Sequence, residues 1–353
     1  MRVGIVTQPL EMNYGGIIQN WALQQALKRL GHDPVTLDAF QRFSTPHYLY
    51  NYCRALLRRI CGKKASLPQR YRGALRWKLT GEFIEDHIAK TRVMWDYERS
   101  AVKRYGLEGI VVGSDQVWRA PYNASHIADM YLKFAQGLPL RRVAYAASFG
   151  VDKWEYTPEQ EALCVPFAKQ FDAISVRESS GIALCRDHFG MEARHVLDPT
   201  MLLTAEDYQP IIDREWDSSE PYLAVYCLDI TDAKREFFNK LAADRNLKVR
   251  YFSAGWGGRL TVGQWLAMIS NATMMVTDSF HGTVFSILFH RPFVSIVNEK
   301  RGASRFNALL SSLGLQDRIS QSCVNSDIDW TSVEQKLSKL RQESIDFLKT
   351  NLN

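Results

Sequence analysis

The chain has 353 residues, 46% of them hydrophobic and 23% charged, with a net charge of +6 at pH 7. That composition fits an ordinary globular protein of about two domains. No apolar run approaches the roughly 20 residues that span a bilayer, so no transmembrane helix is expected. Met1 to Thr7 leads into a strand-like run without a charged leader or cleavage site, so no signal peptide is expected and the chain should stay in the cytosol. The six cysteines are scattered without a C-x-x-C pair or zinc spacing, which predicts reduced, mostly buried thiols and no metal site.

The first segment reads as strand, loop, helix, strand: Arg2 to Thr7, Gln8 to Gly15, a helical Gly16 to Leu30 ended by Gly31, then Pro34 to Ala39. From Gln41 to Tyr105 the chain turns basic, its Lys and Arg exceeding Asp and Glu by about ten. Within this insert Leu49, Tyr52, Cys53, Leu56 and Ile60 share one helical face, with Arg54 and Arg58 opposite. The plainer reading turns the apolar stripe to the core and the arginines to water. The other lays the helix on an anionic membrane surface. No RNP, helix-turn-helix or zinc pattern accompanies the charge, so nucleic acid is not an expected partner.

Short apolar runs then recur at Gly109 to Val112, Arg142 to Ala146, Ala173 to Val176 and Ala193 to Leu197. Strands apolar along nearly their whole length belong to a parallel sheet covered on both faces. A polar stretch, Asp213 to Pro221, precedes a fresh strand, Tyr222 to Cys227. There follow helix Asp232 to Ala243, strand Val249 to Phe252, helix Thr261 to Ser270, strand Thr273 to Thr277, helix Gly282 to Phe289 and strand Phe293 to Val297. The expected fold is α/β: two Rossmann-like lobes with mostly parallel sheets and a ligand in the cleft between them. The divisions are a first lobe over 1–213 carrying the insert at about 41–105, a second over 214–330, and a C-terminal helix over 331–353, its apolar pattern running from Val333 to Leu348.

Open α/β sheets bind ligands at the carboxyl ends of their strands. Five such places stand out. At Asn13-Tyr14-Gly15-Gly16, glycines and a helix N-terminus offer backbone amides, or Gly15 simply makes a turn. After Gly109 to Val112 come Ser114, Asp115 and Trp118. The acid can take a proton from a sugar hydroxyl and the indole offers a flat face for a sugar ring, or the pair is a cap and a core tryptophan. Ser148 follows the next strand. Arg177 ends another, placed to hold a carboxylate or phosphate or to pair internally with Glu178, while Ser179 can cap the next helix. Last, Thr277-Asp278-Ser279-Phe280-His281-Gly282-Thr283 opens a second-lobe helix. The helix dipole there favours a neutral imidazole ready to accept a proton, unless these residues merely cap.

The stretches NYGGIIQNWAL, VVGSDQVWR, YAASFG, SVRESSG, LDPTMLL and VTDSFHGTVFSILFHRPFV, in this order between residues 13 and 294, resemble the blocks of the polysaccharide pyruvyl transferase family, and KRGASRFNALL from Lys300 resembles a further one. The resemblance implies a fold related to two-lobed GT-B glycosyltransferases and no cofactor. It also implies transfer of a pyruvyl group from phosphoenolpyruvate to a lipid-linked or polymeric sugar, forming a pyruvate ketal in a surface polysaccharide or capsule. It assigns His281 and Asp115 to catalysis, Arg177, Arg305, Ser279, Gly282 and Thr283 to the donor, and Asn13, Gly15, Trp118 and Ser148 to the acceptor. Several characterised relatives carry arginine two positions before the matching histidine. This chain has Ser279 there, and Arg305 or Lys300 would supply the charge. Two other readings stay open: a GT-B glycosyltransferase using a nucleotide sugar, and a non-catalytic polysaccharide-assembly protein.

Overall fold

The computed structural model describes residues 1–39, 41–42, 45–62, 65, 71–72, 78–123, 125–216, 220–253, 260–297, 302–320 and 327–352. Lys300 and Cys323 lie outside them. In chain order the described strands are β1 (Arg2–Val6), β2 (Asp33–Thr36), β3 (Gln41–Arg42), β4 (Tyr71–Arg72), β5 (Gly109–Val112), β6 (Arg141–Ala147), β7 (Ala173–Val176), β8 (Arg194–His195), β9 (Tyr222–Tyr226), β10 (Lys248–Tyr251), β11 (Met274–Thr277) and β12 (Phe293–Ser295).

A parallel sheet in the order β2-β1-β5-β6-β7-β8 forms the first lobe, and a second in the order β10-β9-β11-β12 forms the other. Burial explains the pairing type. Every residue of β5 and of β11 is buried, because helices cover both faces, and only the parallel crossover arrangement provides that cover. In the first sheet the order reverses at β1, which pairs with β2 on one side and β5 on the other, Val6 lying opposite Val112. In the second it reverses at β9, between β10 and β11. Reversal leaves a crevice beyond the strand ends, because successive helices fall on opposite faces. The last first-lobe strand is shorter than its apolar pattern predicts. Asp198 and Pro199 break it into a 3-10 turn that begins at Pro199, whose ring removes a ladder donor.

The first helix, Tyr14–Arg29, starts two residues before the predicted position and is buried over most of its length. Its polar residues are used rather than hydrated. Gln19 donates to Thr7 Oγ1 at 3.0 Å and accepts from the Ser114 amide at 3.1 Å. Gln24 bonds the Ala89 backbone through both its amide atoms. The helix also joins the lobes, since Tyr14 stacks on Trp265 with 5.7 Å between centroids and donates to the Leu260 carbonyl at 2.6 Å.

The basic insert departs from the plainer of its two readings. Its helix, Thr45–Ile60, turns Leu49, Leu56, Leu57 and Ile60 to solvent rather than to the core, and Ala55 is its buried residue. Cys53 and Cys61 are accordingly exposed, whereas Cys164, Cys185 and Cys227 are buried thiols.

The C-terminal helix, Trp330–Leu352, runs across both lobes. Val333 and Leu337 pack with Leu310 and Leu313 of the second lobe. Phe347, Leu348 and Leu352 pack with Val3, Ile5 and Tyr145 of the first. Leu348 is fully buried among first-lobe residues, and its replacement by alanine leaves a cavity under the helix. Leu348→Ala is expected to lower unfolding stability by about 2–5 kcal/mol. Urea titration checks this, and a loss below about 1 kcal/mol would show that the helix end does not pack into the first lobe.

Candidate active site

The two sheet reversals face each other. Beyond β1 and β5 lie Asn13, Ser114 and Asp115, and beyond β11, at the second turn-forming residue of the helix Phe280–Leu288, lies His281. The imidazole crosses to the first lobe. A Cβ on Gly15 would lie 2.1 Å from His281 Nδ1, so the ring rests on bare backbone at the start of the first helix. No side chain larger than hydrogen fits there.

Beneath it is a buried charge network. Arg177, at the end of β7, donates to Asp198 Oδ2 at 2.7 Å and to Asp115 Oδ1 at 3.2 Å. Its side chain is 1% exposed. His281 Nε2 faces the same Asp198 Oδ2 at 3.7 Å, too long for a hydrogen bond. That nitrogen has no hydrogen-bond partner among the described residues. Asp198 is further held by Thr200, whose amide and hydroxyl both donate to Oδ1. Burial alone would push the Asp198 carboxyl up, but His281, Arg177 and Thr200 more than offset this and hold it well below the usual carboxylate range. Asp115 behaves alike: burial raises it, and Arg177, His281 and Arg305 together bring it below its ordinary value. Both carboxylates therefore stay ionised.

A second guanidinium completes the cluster. Arg305, on the helix Ala303–Leu313, is buried, and its Cζ lies 5.5 Å from the Phe280 ring centroid, with Arg177 Cζ 4.9 Å from the same centroid. Burial, then the nearby charge of Arg177, lower Arg305 to about 10. An anion bound between them would relieve both effects.

The remaining predicted residues fall in different places. Asn13 is exposed at the rim, its Nδ2 3.4 Å from Asp115 Oδ2, and Ser279 is half-buried beside His281, capping its helix through the Gly282 amide. Five assignments change. Trp118 offers no face to a sugar: it is wholly buried, stacked on Tyr131 at 5.0 Å, with its indole N–H given to the Met130 carbonyl. Ser148 is buried and donates to Glu178. Gly282 lies flat against Thr277, where a Cβ would come 2.4 Å from Oγ1, and Thr283 bonds Ser295 inside the lobe at 2.6 Å. Gly15 receives the imidazole rather than a ligand. Arg177 pairs with the two aspartates rather than with Glu178. The Glu178 Oε1 instead gathers the Phe149 and Gly150 amides, and Ser179 makes no side-chain cap.

Sequence reasoning assigned no role to Asp198 or Gln19. Asp-Pro-Thr directly after an apolar strand was a usable signal for Asp198, because an acid there sits at a strand's carboxyl end. Gln19 carried none: a glutamine on a helix gives no sign of being buried. A cavity of about 650 Å³ elsewhere, lined by residues including Thr204, Asp213, His290, Arg291 and Arg341, shares no residue with the cluster.

Residues 13–300 match the polysaccharide pyruvyl transferase family. No curated protein matches the sequence. Among solved structures, the UDP-GlcNAc 2-epimerase of Methanocaldococcus jannaschii gives a TM-score of 0.50 at 11% identity, covering 98% of this chain and 93% of that one. S. aureus MnaA with UDP gives 0.49 at 10%, covering 99% and 90%. A spinosyn rhamnosyltransferase with thymidine diphosphate gives 0.41 at 11%, covering 100% of both. At 11% identity the epimerase match at 0.50 is a likeness of fold alone, in keeping with the two parallel α/β sheets read from the sequence.

Removing the Asp198 charge leaves a buried guanidinium with one partner. Asp198→Asn is expected to cost about 3–5 kcal/mol of unfolding stability at pH 7. Because this carboxyl is held low when folded and returns to about 3.9 when unfolded, its contribution is fully present above about pH 4 and is lost as acid protonates it. The gap between wild type and variant should therefore close as pH falls below about 4. Denaturant titrations across pH check both, and a gap that is constant or widens in acid would contradict the ionised assignment.

Proposed function

The chain belongs to the polysaccharide pyruvyl transferase family, and we propose that it moves the pyruvyl group of phosphoenolpyruvate onto two hydroxyls of a sugar, releasing phosphate and leaving a pyruvate ketal. The observation that supports this reading is one juxtaposition: an imidazole nitrogen without a hydrogen-bond partner among the described residues, in a buried cluster that also holds two guanidiniums. Phosphoenolpyruvate carries a carboxylate and a phosphate, and guanidiniums hold both by paired, charge-assisted hydrogen bonds. Arg305 and Arg177, both beside the Phe280 ring, supply the two guanidiniums. Ser279 at the rim adds a hydroxyl where relatives carry arginine.

His281 gives its Nε2 proton to the methylene carbon, which becomes a methyl group, and the adjacent carbon becomes cationic. The first sugar hydroxyl adds there and passes its proton to Asp115. A carboxylate held low is a weak base, but a hydroxyl bonding to a cationic carbon is strongly acidified, so a weak base suffices. Phosphate then leaves with that proton, the carbon is cationic again, and the second hydroxyl closes the ring and returns its proton to His281. One hydroxyl proton ends on the methyl group and the other on phosphate. Asn13, whose Nδ2 lies 3.4 Å from Asp115 Oδ2, grips the sugar. The acceptor is a lipid-linked or polymeric sugar of surface polysaccharide synthesis, met on the cytosolic side where phosphoenolpyruvate is made.

General acid-base help is worth about 10² to 10⁴ in rate. His281→Ala is therefore expected to fold normally and to lose that factor in phosphate release from phosphoenolpyruvate with a lipid-linked sugar acceptor, and near wild-type turnover would remove the imidazole from the mechanism. Calorimetry separates this reading from a nucleotide-sugar enzyme. Phosphoenolpyruvate should bind, and Arg305→Ala should weaken it by at least tenfold. Tight binding of a nucleoside diphosphate with none of phosphoenolpyruvate would overturn the proposal.

A further inference from the structure

We infer that the helix Thr45–Ile60 docks the protein onto an anionic lipid surface. Its sequence, TPHYLYNYCRALLRRI, contains three arginines and no acid. The helix is held by one edge: Ala55 is 7% exposed, and Asn51 and Tyr52 are half-buried. The opposite arc is open to solvent, with Leu49 52%, Tyr50 66%, Leu57 62% and Ile60 80% exposed. At 3.6 residues per turn, Leu56, Leu49, Ile60, Cys53, Leu57 and Tyr50 fill about a third of the circumference without interruption. Arg54 and Arg58 border one side of that arc and Arg59 the other.

Single exposed apolar residues need no explanation, but a continuous face of them on one helix does. Two features select the occupant. The helix is about 24 Å long at 1.5 Å per residue, and no helix among the described residues is long and apolar enough to cross a membrane, so it lies in the interface plane. The arginines at both borders exclude a second copy of the same face, which would set like charges against each other with no acid on the helix to neutralise them. A bilayer with anionic headgroups meets both demands at once. The leucines and isoleucine enter the acyl boundary, and the arginines reach back to phosphates on their flexible stems. This inference is independent of the donor chemistry above.

The test uses the full chain sedimented with phosphatidylcholine vesicles, with and without phosphatidylglycerol, at low and high salt. Binding is expected only with the anionic lipid and should weaken as salt screens it. The double variant Leu57→Glu, Ile60→Glu should lose at least tenfold in partitioning. Arg54→Gln with Arg58→Gln should lose about fivefold per arginine. Arg59 is left in place because its Nε donates to the Ala65 carbonyl. All four positions are exposed, so melting temperatures should match wild type. Phosphate release with a soluble acceptor should also be unchanged, which keeps a failure of the donor reading separate. Equal binding to neutral vesicles, absence of binding, or binding unaffected by Leu57→Glu, Ile60→Glu would overturn the inference. So would a dimer in gel filtration that this variant dissolves, since it would assign the face to self-association.

Discussion

A guanidinium removed from water must find its counter-charges inside the protein, and Arg177 finds two. Asp115 comes from the end of β5 and Asp198 from the turn after β8, so one buried cation ties together three strand ends of the first sheet. Such a network is not there for stability alone, since well-packed apolar side chains of similar volume hold a core as well or better. What it supplies is position. The Asp198 oxygen that receives Arg177 is the one that faces His281, so the imidazole of the second lobe is placed by charges fixed in the first.

That placement needs two lobes that do not drift. The Tyr14 hydroxyl bonded to Leu260, the Tyr14–Trp265 stack, and the C-terminal helix packed on both lobes all bind the halves together. Gly15 completes the contact by letting the imidazole lie on the first helix. The result is a buried cluster between two sheet reversals, where charges interact strongly. Reactions through a cationic carbon benefit from such a place, because water would otherwise compete with the sugar hydroxyls.

The fold was legible in the sequence to the level of two parallel α/β sheets. Runs such as Ile110 to Val112 and Met274 to Val276 are apolar throughout, and that pattern has one common structural cause, a covered parallel sheet. The candidate cluster was legible only where chemistry and position coincide: His281, Arg177 and Asp115 each follow a strand, and the structure brings them together. Trp118 and Thr283 follow strands too, yet they turn inward. The direction of a side chain at a strand end depends on the turn's backbone, which the residue type does not encode. Asp198 was hidden by the reverse difficulty, since a single acid in an ordinary turn gains meaning only when Arg177 is seen beside it. The insert helix stays divided between two readings for a simpler reason. Periodicity reports that a helix has an apolar face, not what covers it.

The central claim is that His281, Arg177 and Arg305 surround a bound donor at the facing sheet reversals. A crystal soaked with phosphoenolpyruvate addresses it most directly. The account predicts density with its phosphate or carboxylate against Arg305 and its methylene carbon toward His281 Nε2. Density that instead settles in the distant cavity near His290 and Arg291, with the crevice vacant at saturating donor, would contradict it.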